Sequence, residues 1–333
     1  MLTLGKQVMG PLAEALRDFV PGVDAVTLIP AGLLALLPLH AARYHRDGQV
    51  VSFLDEFTVT YSPSAMLLGF VRREVKSRRR GSMHLVGVAN PLPHPQPPDY
   101  AQVELEEIAS LFSGKKTLLY EGEATKAALL RFLLQATHVH LACHSRFDLE
   151  NPLNDHIQLA HSEPLTLREW MDRGDLSRLV LVVLSACQMA ITKFSDFSNE
   201  IIGLPTGLMM AGVPWVVGTL WPVNDLSTAL VMIKFYEYHL HGDLTTGEGP
   251  MPPARALRQA QRWLRDVTVG ELLAYFQHHK TLHDAQYHAK RQLPPEEVVA
   301  RGMNRLGLED PQSRPFAHPY YWVPFTLMGV IGG

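Results

Sequence analysis

The chain has 333 residues, of which 47% are hydrophobic and 19% charged, so it is long enough to bury a large core and has the composition of a globular protein. Its 30 basic and 33 acidic side chains give a net charge of -3, and we therefore predict direct binding to neither nucleic acid nor a membrane surface. Two cysteines exclude a disulfide scaffold and are typical of a reducing compartment. Since the N-terminus also lacks a secretory signal pattern, we predict a cytoplasmic protein.

Apolar segments of strand length, flanked by turn residues, recur along the chain. They lie near 26–32, 57–64, 84–91, 117–122, 137–145, 178–187 and 213–222. Helical patterns occur between several of them, at 103–112, 124–136 and 225–240. Suitable helix N-caps are Thr125 and either Asp225 or Ser227. Continuously apolar strands between amphipathic helices predict an α/β fold with a mostly parallel sheet covered on both faces.

The longest uncharged segment, residues 201–223, has the length of a membrane span. Seven glycines and prolines interrupt it, and they would repeatedly break a helix exposed to lipid. We therefore predict a short buried helix, a turn and a buried strand here.

Three further segments are predicted to be loops or inserts. The basic segment 71–82 is interpreted as a solvated helix end, with a cleavage site or a phosphate contact as alternatives. The proline-rich segment 90–100 is interpreted as a stiff connector. The third segment, 243–315, contains a histidine group of His278, His279 and His283, which favours a solvated helix over a metal site.

Reactive side chains follow two of the predicted strands, at the point where each strand ends. His144 and Ser145 end the segment 137–145, and Cys187 ends the segment 178–187. In α/β sheets the carboxyl ends of parallel strands meet at one edge, where loops are free to carry function. If these two strands are neighbours, the imidazole and the thiol meet at that edge as a possible Cys/His dyad.

Such a pair suits nucleophilic catalysis. A thiol with an ordinary pKa near 8.5 is mostly protonated at neutral pH, and a nearby histidine can take its proton and later return it to a departing amine. The backbone N–H groups of Ser145 and Cys187 are expected to lie where an oxyanion would form.

The motifs around both residues resemble those of a known family. Cys187 lies in Leu184-Ser185-Ala186-Cys187, and His144 in Ala142-Cys143-His144-Ser145, 43 positions upstream. Further matching segments are, in chain order, VTLIPAGLLALLPLHAA, FTVTYSPSA, HLVGVANP, ELEEIASLF, IIGLPTGLMMAGVPWVVGTLWPVNDLSTALVMIKFY and HPYYWVPFTLMG. In these motifs the chain resembles the CHAT family of caspase-like peptidases related to separase. The resemblance covers nearly the whole chain except about 243–315. Two positions depart from the pattern: Ser145 replaces the usual Gly, which is expected to strain or shift the oxyanion N–H, and Gln188 replaces the usual Glu.

The resemblance implies an α/β, caspase-like three-layer sandwich with a mostly parallel central sheet. It divides the chain into an N-terminal portion at 1–82 packed on the core, a peptidase core at 83–242, a partly helical insert at 243–315 and a C-terminal strand at 316–333. The implied function is a cysteine endopeptidase that cleaves protein substrates and is switched on by a partner or sensor protein. A catalytically weak or inactive binding or assembly module is the alternative.

The resemblance also assigns roles to single residues. His144 and Cys187 match the catalytic pair, and neither a cofactor nor a metal is implied. Asp225 and the nearby Trp221 lie in the segment where separase-like relatives carry a pocket acid, which implies a preference for Lys or Arg before the cleaved bond. The basic run Arg78–Arg80 is then a candidate self-cleavage site.

Other interpretations of these residues remain open. Cys187 is alternatively an inert buried cysteine, and Asp225 is alternatively, or in addition, a helix N-cap. Asp148 and Asp155 follow His144, where they either orient its imidazole or, as we favour, are exposed.

The segment containing His138, His140 and Cys143 resembles a zinc-binding cluster in its residue types. Strand alternation argues against such a site, because the two histidines share a face and the cysteine points to the other one. Cys143 is instead predicted to pack in the core with Val139 and Leu141.

Overall fold

The computed structural model describes residues 1–77, 81–93, 100–146, 151–172, 176–185, 203–279 and 310–332. Strands within these ranges are β1 Ala25–Leu28, β2 Arg43–Arg46, β3 Gln49–Ser52, β4 Thr58–Tyr61, β5 His84–Ala89, β6 Lys115–Tyr120, β7 His138–Ala142, β8 Ser145–Arg146, β9 His156–Gln158, β10 Pro164–Thr166, β11 Leu181–Leu184, β12 Trp215–Thr219 and β13 Phe325–Gly329. Helices within them are α1 Leu2–Leu4, α2 Gly10–Phe19, α3 Phe53–Glu56, α4 Ala65–Ser77, α5 Ala101–Leu111, α6 Lys126–Leu133, α7 Leu167–Met171, α8 Leu204–Met210, α9 Asp225–Leu240, α10 Pro253–Asp266, α11 Val269–His278 and α12 Pro319–Trp322.

Eight strands form the central sheet, in the order β1-β4-β13-β12-β11-β7-β5-β6. Neighbouring strands are parallel except for the antiparallel pair β12 and β13. The predicted α/β fold with a mostly parallel sheet is therefore confirmed. Because β13 reverses the direction, β1 and β4 run opposite to the five strands on its other side. The carboxyl ends of these two N-terminal strands therefore lie at the sheet edge opposite to that of β7 and β11.

Helices pack on both faces of this sheet, as the alternation of side chains along β13 makes clear. Met328 lies against Thr206 of α8, whereas Leu327 lines a small cavity together with Leu257 of α10. On the face that carries α10, both α10 and α5 pack against α9. On the face that carries α8, both α4 and α7 pack against α8. Every residue of β5, β7, β11 and β12 is buried, which explains why these strands are mostly apolar.

Two helix starts test the predicted caps. Thr125 caps α6 as predicted, since its side chain accepts a hydrogen bond from the Ala128 N–H at 3.1 Å. For α9 the prediction of Asp225 or Ser227 is wrong, because the side chain of Asn224 accepts the Ser227 N–H at 3.1 Å. The Asp225 carboxylate is consequently not the group that caps this helix.

Residues 201–223 contain α8 and β12, in agreement with the predicted buried helix and strand. Among the described helices, none is both long enough and apolar enough to cross a membrane.

The N-terminal portion is joined to the rest of the fold by polar contacts as well as by the sheet. The buried His40 ring accepts from the Tyr61 hydroxyl at 2.8 Å and donates to the Val323 carbonyl at 3.0 Å. From the segment 243–315, α10 packs on α9 and β4, while residues 280–309 lie outside the described residues. The domain boundaries inferred from the resemblance stay predictions.

Candidate active site

Strands β7 and β11 are neighbours, which is the condition that the proposed dyad requires. They pair in parallel with Leu141 opposite Leu184, and the Ser185 N–H donates to the Leu141 carbonyl at 3.0 Å. His144 follows the end of β7 on the same sheet edge. Cys187 lies outside the described residues, two positions after Ser185 in the sequence. The strand that carries the histidine thus lies directly beside the strand that leads to the cysteine.

His144 is partly buried, and its surroundings affect its protonation. Burial lowers the pKa of the imidazole, and the nearby Asp225 carboxylate raises it by a smaller amount, so that the net shift is downward. The imidazole is therefore predominantly neutral near pH 7. A neutral imidazole can accept a proton, which is what a general base must do.

Asp225 and Trp221 come from the strand on the other side of β11. Strand β12 pairs with β11 in parallel and ends at Thr219, so the loop to α9 starts at the same edge as His144. Asp225 is exposed, and its charge acts on His144. The indole Nε1 of Trp221 is buried and has no hydrogen-bond partner among the described residues. The structure thus brings both predicted substrate-binding residues to the edge that carries His144.

Ser145 lies in strand β8, paired with Ile157 of β9. The Gln158 N–H donates to the His144 carbonyl at 2.8 Å, which makes the Ser145–Ile157 pair the non-hydrogen-bonded one of this antiparallel ladder. The Ser145 N–H therefore points away from β9, as a donor to an oxyanion must. Ser145 lies in a β-strand and is not among the residues with positive φ, so its backbone is not in the strained left-handed region.

The Ser145 hydroxyl is buried and has no hydrogen-bond partner among the described residues. A buried hydroxyl without a partner costs free energy, about 1 kcal/mol or more. We expect Ser145→Ala to keep the iodoacetamide reactivity of Cys187 within about threefold of the wild-type rate and to melt at the same or a higher temperature. Ser145→Gly should not exceed it, because glycine weakens a strand by roughly 0.5–1 kcal/mol. A loss above tenfold in Ser145→Ala would assign the hydroxyl a role of its own.

The histidines of β7 lie on the face covered by α5 and α9, where His138 packs against Phe112 and His140 against Tyr236, and both rings are hydrogen-bonded. His138 Nδ1 is hydrogen-bonded to Thr137 Oγ1 at 2.8 Å, and His140 Nε2 donates to Glu104 Oε1 at 2.8 Å. Cys143 is buried in the same cluster as Val139 and Leu141, as strand alternation predicts. Within the described ranges, no group of His, Cys, Asp and Glu has the arrangement of a metal site.

Two expectations about exposed polar residues are wrong. Asp155 is only 2% exposed, and its carbonyl accepts the Leu167 N–H at 2.7 Å. His279 forms ion pairs with Glu107 at 2.9 Å and Glu237 at 3.1 Å and is not a solvated helical residue. Burial alone would lower its pKa, but hydrogen bonds to these two carboxylates outweigh burial and raise the pKa to about 9. Other candidate residues, Asp148, Gln188, His283 and Arg78–Arg80, lie outside the described residues.

The buried carboxylate of Glu104 was not among the predicted site residues. It lies on the buried face of α5, together with Ala101, Leu105 and Ile108. A glutamate at apolar helical spacing was the available signal, because an acidic side chain at a core position needs a buried partner.

The sequence-family model of the CHAT domain matches residues 2–330 of the chain. The chain belongs to the CHAT domain family. No curated protein matches this CHAT domain.

Solved structures with a similar fold include separase from Saccharomyces cerevisiae in complex with securin. It has a TM-score of 0.49 and 15% identity, and the match covers 71% of the CHAT domain chain and 14% of the separase chain. Another is the Arg-specific cysteine proteinase gingipain R, with a TM-score of 0.48, 10% identity, and 97% and 67% coverage of the two chains. The complex of the pro- and mature domains of Porphyromonas gingivalis RgpB has a TM-score of 0.48 and 9% identity. The match covers 98% of the CHAT domain chain and 70% of the other chain. The CHAT domain chain thus spans about one seventh of the separase chain.

Proposed function

We propose that this CHAT domain is a cysteine endopeptidase in which His144 and Cys187 form the catalytic pair. The observation that carries the proposal is the parallel pairing of β7 and β11, which puts His144 beside the strand leading to Cys187. Membership of the CHAT family supports it, because both residues match the pattern of that family. The downward shift of the His144 pKa adds support, since the base must be neutral to act.

The reaction follows from the roles of these groups. The Cys187 thiol transfers its proton to the His144 imidazole, and the thiolate attacks the carbonyl carbon of the peptide bond. The backbone N–H groups of Ser145 and Cys187 donate to the resulting oxyanion. The imidazolium protonates the departing amine, which leaves a thioester. Water, deprotonated by His144, then hydrolyses the thioester and regenerates the thiol.

Thiol labelling tests the proposal without knowledge of the substrate. Iodoacetamide modification of Cys187 is followed by peptide mass spectrometry, which separates it from Cys143, over a range of pH. A catalytic pair predicts a modification rate that titrates well below the ordinary thiol pKa of about 8.5. An inert Cys187, or one that titrates near 8.5, would instead favour the alternative of a binding or assembly module.

Substrate selection and activation are further parts of the proposal. Asp225 is suited to recognise Lys or Arg before the cleaved bond, with Trp221 beside it in the same loop region. A separate partner or sensor protein, or the segment 243–315, switches the enzyme on. Profiling of cleaved proteins by mass spectrometry, comparing the wild type with Cys187→Ala in the presence of candidate partners, identifies both the substrates and the trigger.

Replacing Asp225 tests the substrate pocket. Asp225→Asn should reduce kcat/KM for basic substrates by no more than about tenfold, because the carboxylate is exposed and its ion pair with substrate is screened by water. Removing this charge should also lower the pKa of His144, since the carboxylate raises it. The acid limb of the kcat/KM profile should therefore move to lower pH.

Asn224→Ala is the matched control, because Asn224 is the residue that caps α9. Asn224→Ala should lower the free energy of unfolding by about 1 kcal/mol and reduce kcat/KM equally for all substrates. The acid limb of the kcat/KM profile should not shift. An unchanged substrate profile in Asp225→Asn would contradict the assignment of Asp225 to the substrate pocket. A preference of the wild type for acidic or apolar residues before the cleaved bond would contradict it too. Neither result would argue against the dyad.

A further inference from the structure

A buried polar group connects the two strands that deliver the dyad. It consists of Glu104 on α5, His140 on β7 and Ser185 after β11, and is named the Glu104 triad below. We infer that Glu104 is a positioning residue that holds the chain before His144 and the chain before Cys187 in their working arrangement. This inference rests on the proposed function and deepens it.

Both contacts of the triad end on one oxygen atom. Glu104 Oε1 accepts a hydrogen bond from His140 Nε2 at 2.8 Å and a second, short one from the Ser185 hydroxyl. His140 precedes His144 by four residues, and Ser185 precedes Cys187 by two. A single carboxylate oxygen thus links the two strands close to the points where the catalytic residues follow.

The triad is shielded from water. Glu104 is 3% exposed, Ser185 1% and His140 fully buried, and the ring of Tyr236 packs edge-on against His140 with centroids 5.7 Å apart. Hydrogen bonds to a carboxylate are stronger and more directional than neutral ones, and water cannot replace them in this environment. The contacts therefore restrict where the two strand ends can lie.

A glycine allows Glu104 to reach the sheet. Gly87 of β5 lies opposite His140 in the register, and a Cβ atom at Gly87 would lie 2.3 Å from Leu105 Cδ1 of α5. Because the side chain is missing there, α5 packs closely on β5 beside His140. The next residue back along the helix, Glu104, thereby comes within hydrogen-bond distance of the histidine.

Stability alone is a poor reason for such a group. Burying a carboxylate carries a large desolvation cost, and well-packed apolar residues of similar volume commonly give equal or greater stability. The other buried residues of α5 are apolar and serve that purpose, except Glu107, which is paired with His279. The position of the triad, immediately before both catalytic residues, agrees with a role in fixing geometry.

The test compares full-length wild type with Ser185→Ala, Glu104→Leu and Glu104→Gln. Thr137→Val is the matched control, because Thr137 is also buried and its hydroxyl accepts the His84 N–H at 2.8 Å, but it lies at the amino end of β7. The readouts are the melting temperature and the pH dependence of Cys187 modification by iodoacetamide, resolved by peptide mass spectrometry.

In the wild type, we expect the rate of Cys187 modification to have its pH midpoint well below 8.5. Ser185→Ala and Glu104→Leu should shift the midpoint towards 8.5 and slow modification at pH 7 by about tenfold, because the thiol loses its alignment with the imidazole. Glu104→Gln keeps an acceptor oxygen and should recover most of the rate. Thr137→Val should lower the melting temperature but keep the wild-type midpoint.

Three results would overturn the inference. If folded Ser185→Ala titrates like the wild type, or if Thr137→Val shifts the midpoint equally, the triad contributes stability only, and the proposed function stands. If the wild type itself titrates near 8.5, the proposed function fails and the positioning role fails with it. The wild-type midpoint alone therefore distinguishes failure of the proposed function from failure of the positioning role. If Glu104→Leu does not fold, Ser185→Ala still tests the positioning role.

Discussion

Cys187→Ala and His144→Ala are each expected to reduce peptide cleavage at least 1,000-fold, on the order seen when one member of a catalytic unit is removed. In the proposed dyad the cysteine supplies the nucleophile and the histidine its base, so neither would retain its function alone. The double variant should be no slower than the slower single variant. The measurement is the single-turnover cleavage rate of one profiled peptide, with folding checked by the melting temperature.

Cys143→Ala is the matched control for the nucleophile. Cys143 is the adjacent residue to His144, but its side chain is buried in the core beside Leu141. The change should cost about 1 kcal/mol of stability and leave cleavage intact. An inactive Cys143→Ala that still folds would mean that the nucleophile is misassigned, and a double variant much slower than both single variants would argue against a dyad.

The protein is expected to lose stability steeply between pH 6.5 and pH 4, because buried histidines, above all His40 and His138, resist protonation. Burial lowers the pKa of His40 to about 4 and, with a smaller contribution from the charge of His239, that of His138 to about 3. Above pH 6.5 both are neutral in the folded and the unfolded chain and contribute nothing to the pH dependence. Below pH 6.5 the unfolded chain binds protons that the folded chain does not, so unfolding becomes easier.

Each of these histidines should lower the free energy of unfolding by about 2 kcal/mol at pH 5, from 1.5 pH units at about 1.36 kcal/mol each. His138→Phe keeps an aromatic ring beside Phe112 but cannot titrate. Urea denaturation at pH 7.5 and pH 5 should show a fall in stability that is about 2 kcal/mol smaller in this variant than in the wild type. His45→Gln, which removes an exposed imidazole, is the matched control. An equal fall in His138→Phe and the wild type would exclude His138 as a source of acid sensitivity.

Local sequence determined much of the fold. The segment LVLVVL is continuously apolar, as a strand buried on both faces requires, and α6 begins after Thr125 because the Thr125 hydroxyl accepts the N–H of Ala128. These signals act over a few residues, so they are readable without the fold. The same reasoning located His144 at the end of a buried strand and predicted that Cys143 faces the core.

Sequence patterns also predicted parallel strands, but not which of them would be neighbours. The adjacency of β7 and β11 depends on contacts between segments about 40 residues apart, and no local pattern specifies it. The cap of α9 shows the same limit at short range. Asn224, Asp225 and Ser227 are all good capping residues, and the path of the loop after β12 decided for Asn224.

Tertiary structure alone brought the remaining site groups together. Asp225 influences His144 because β12 ends at the same edge as β7, with β11 between them. Glu104 reaches His140 because Gly87, on a third strand, lets α5 approach the sheet. Composition and periodicity describe one element at a time, whereas the electrostatics and hydrogen bonds of this site arise between elements distant in sequence. The residues proposed to be reactive were therefore readable from local sequence, whereas the protonation of His144 and the alignment of its strand depend on how the sheet and helices pack.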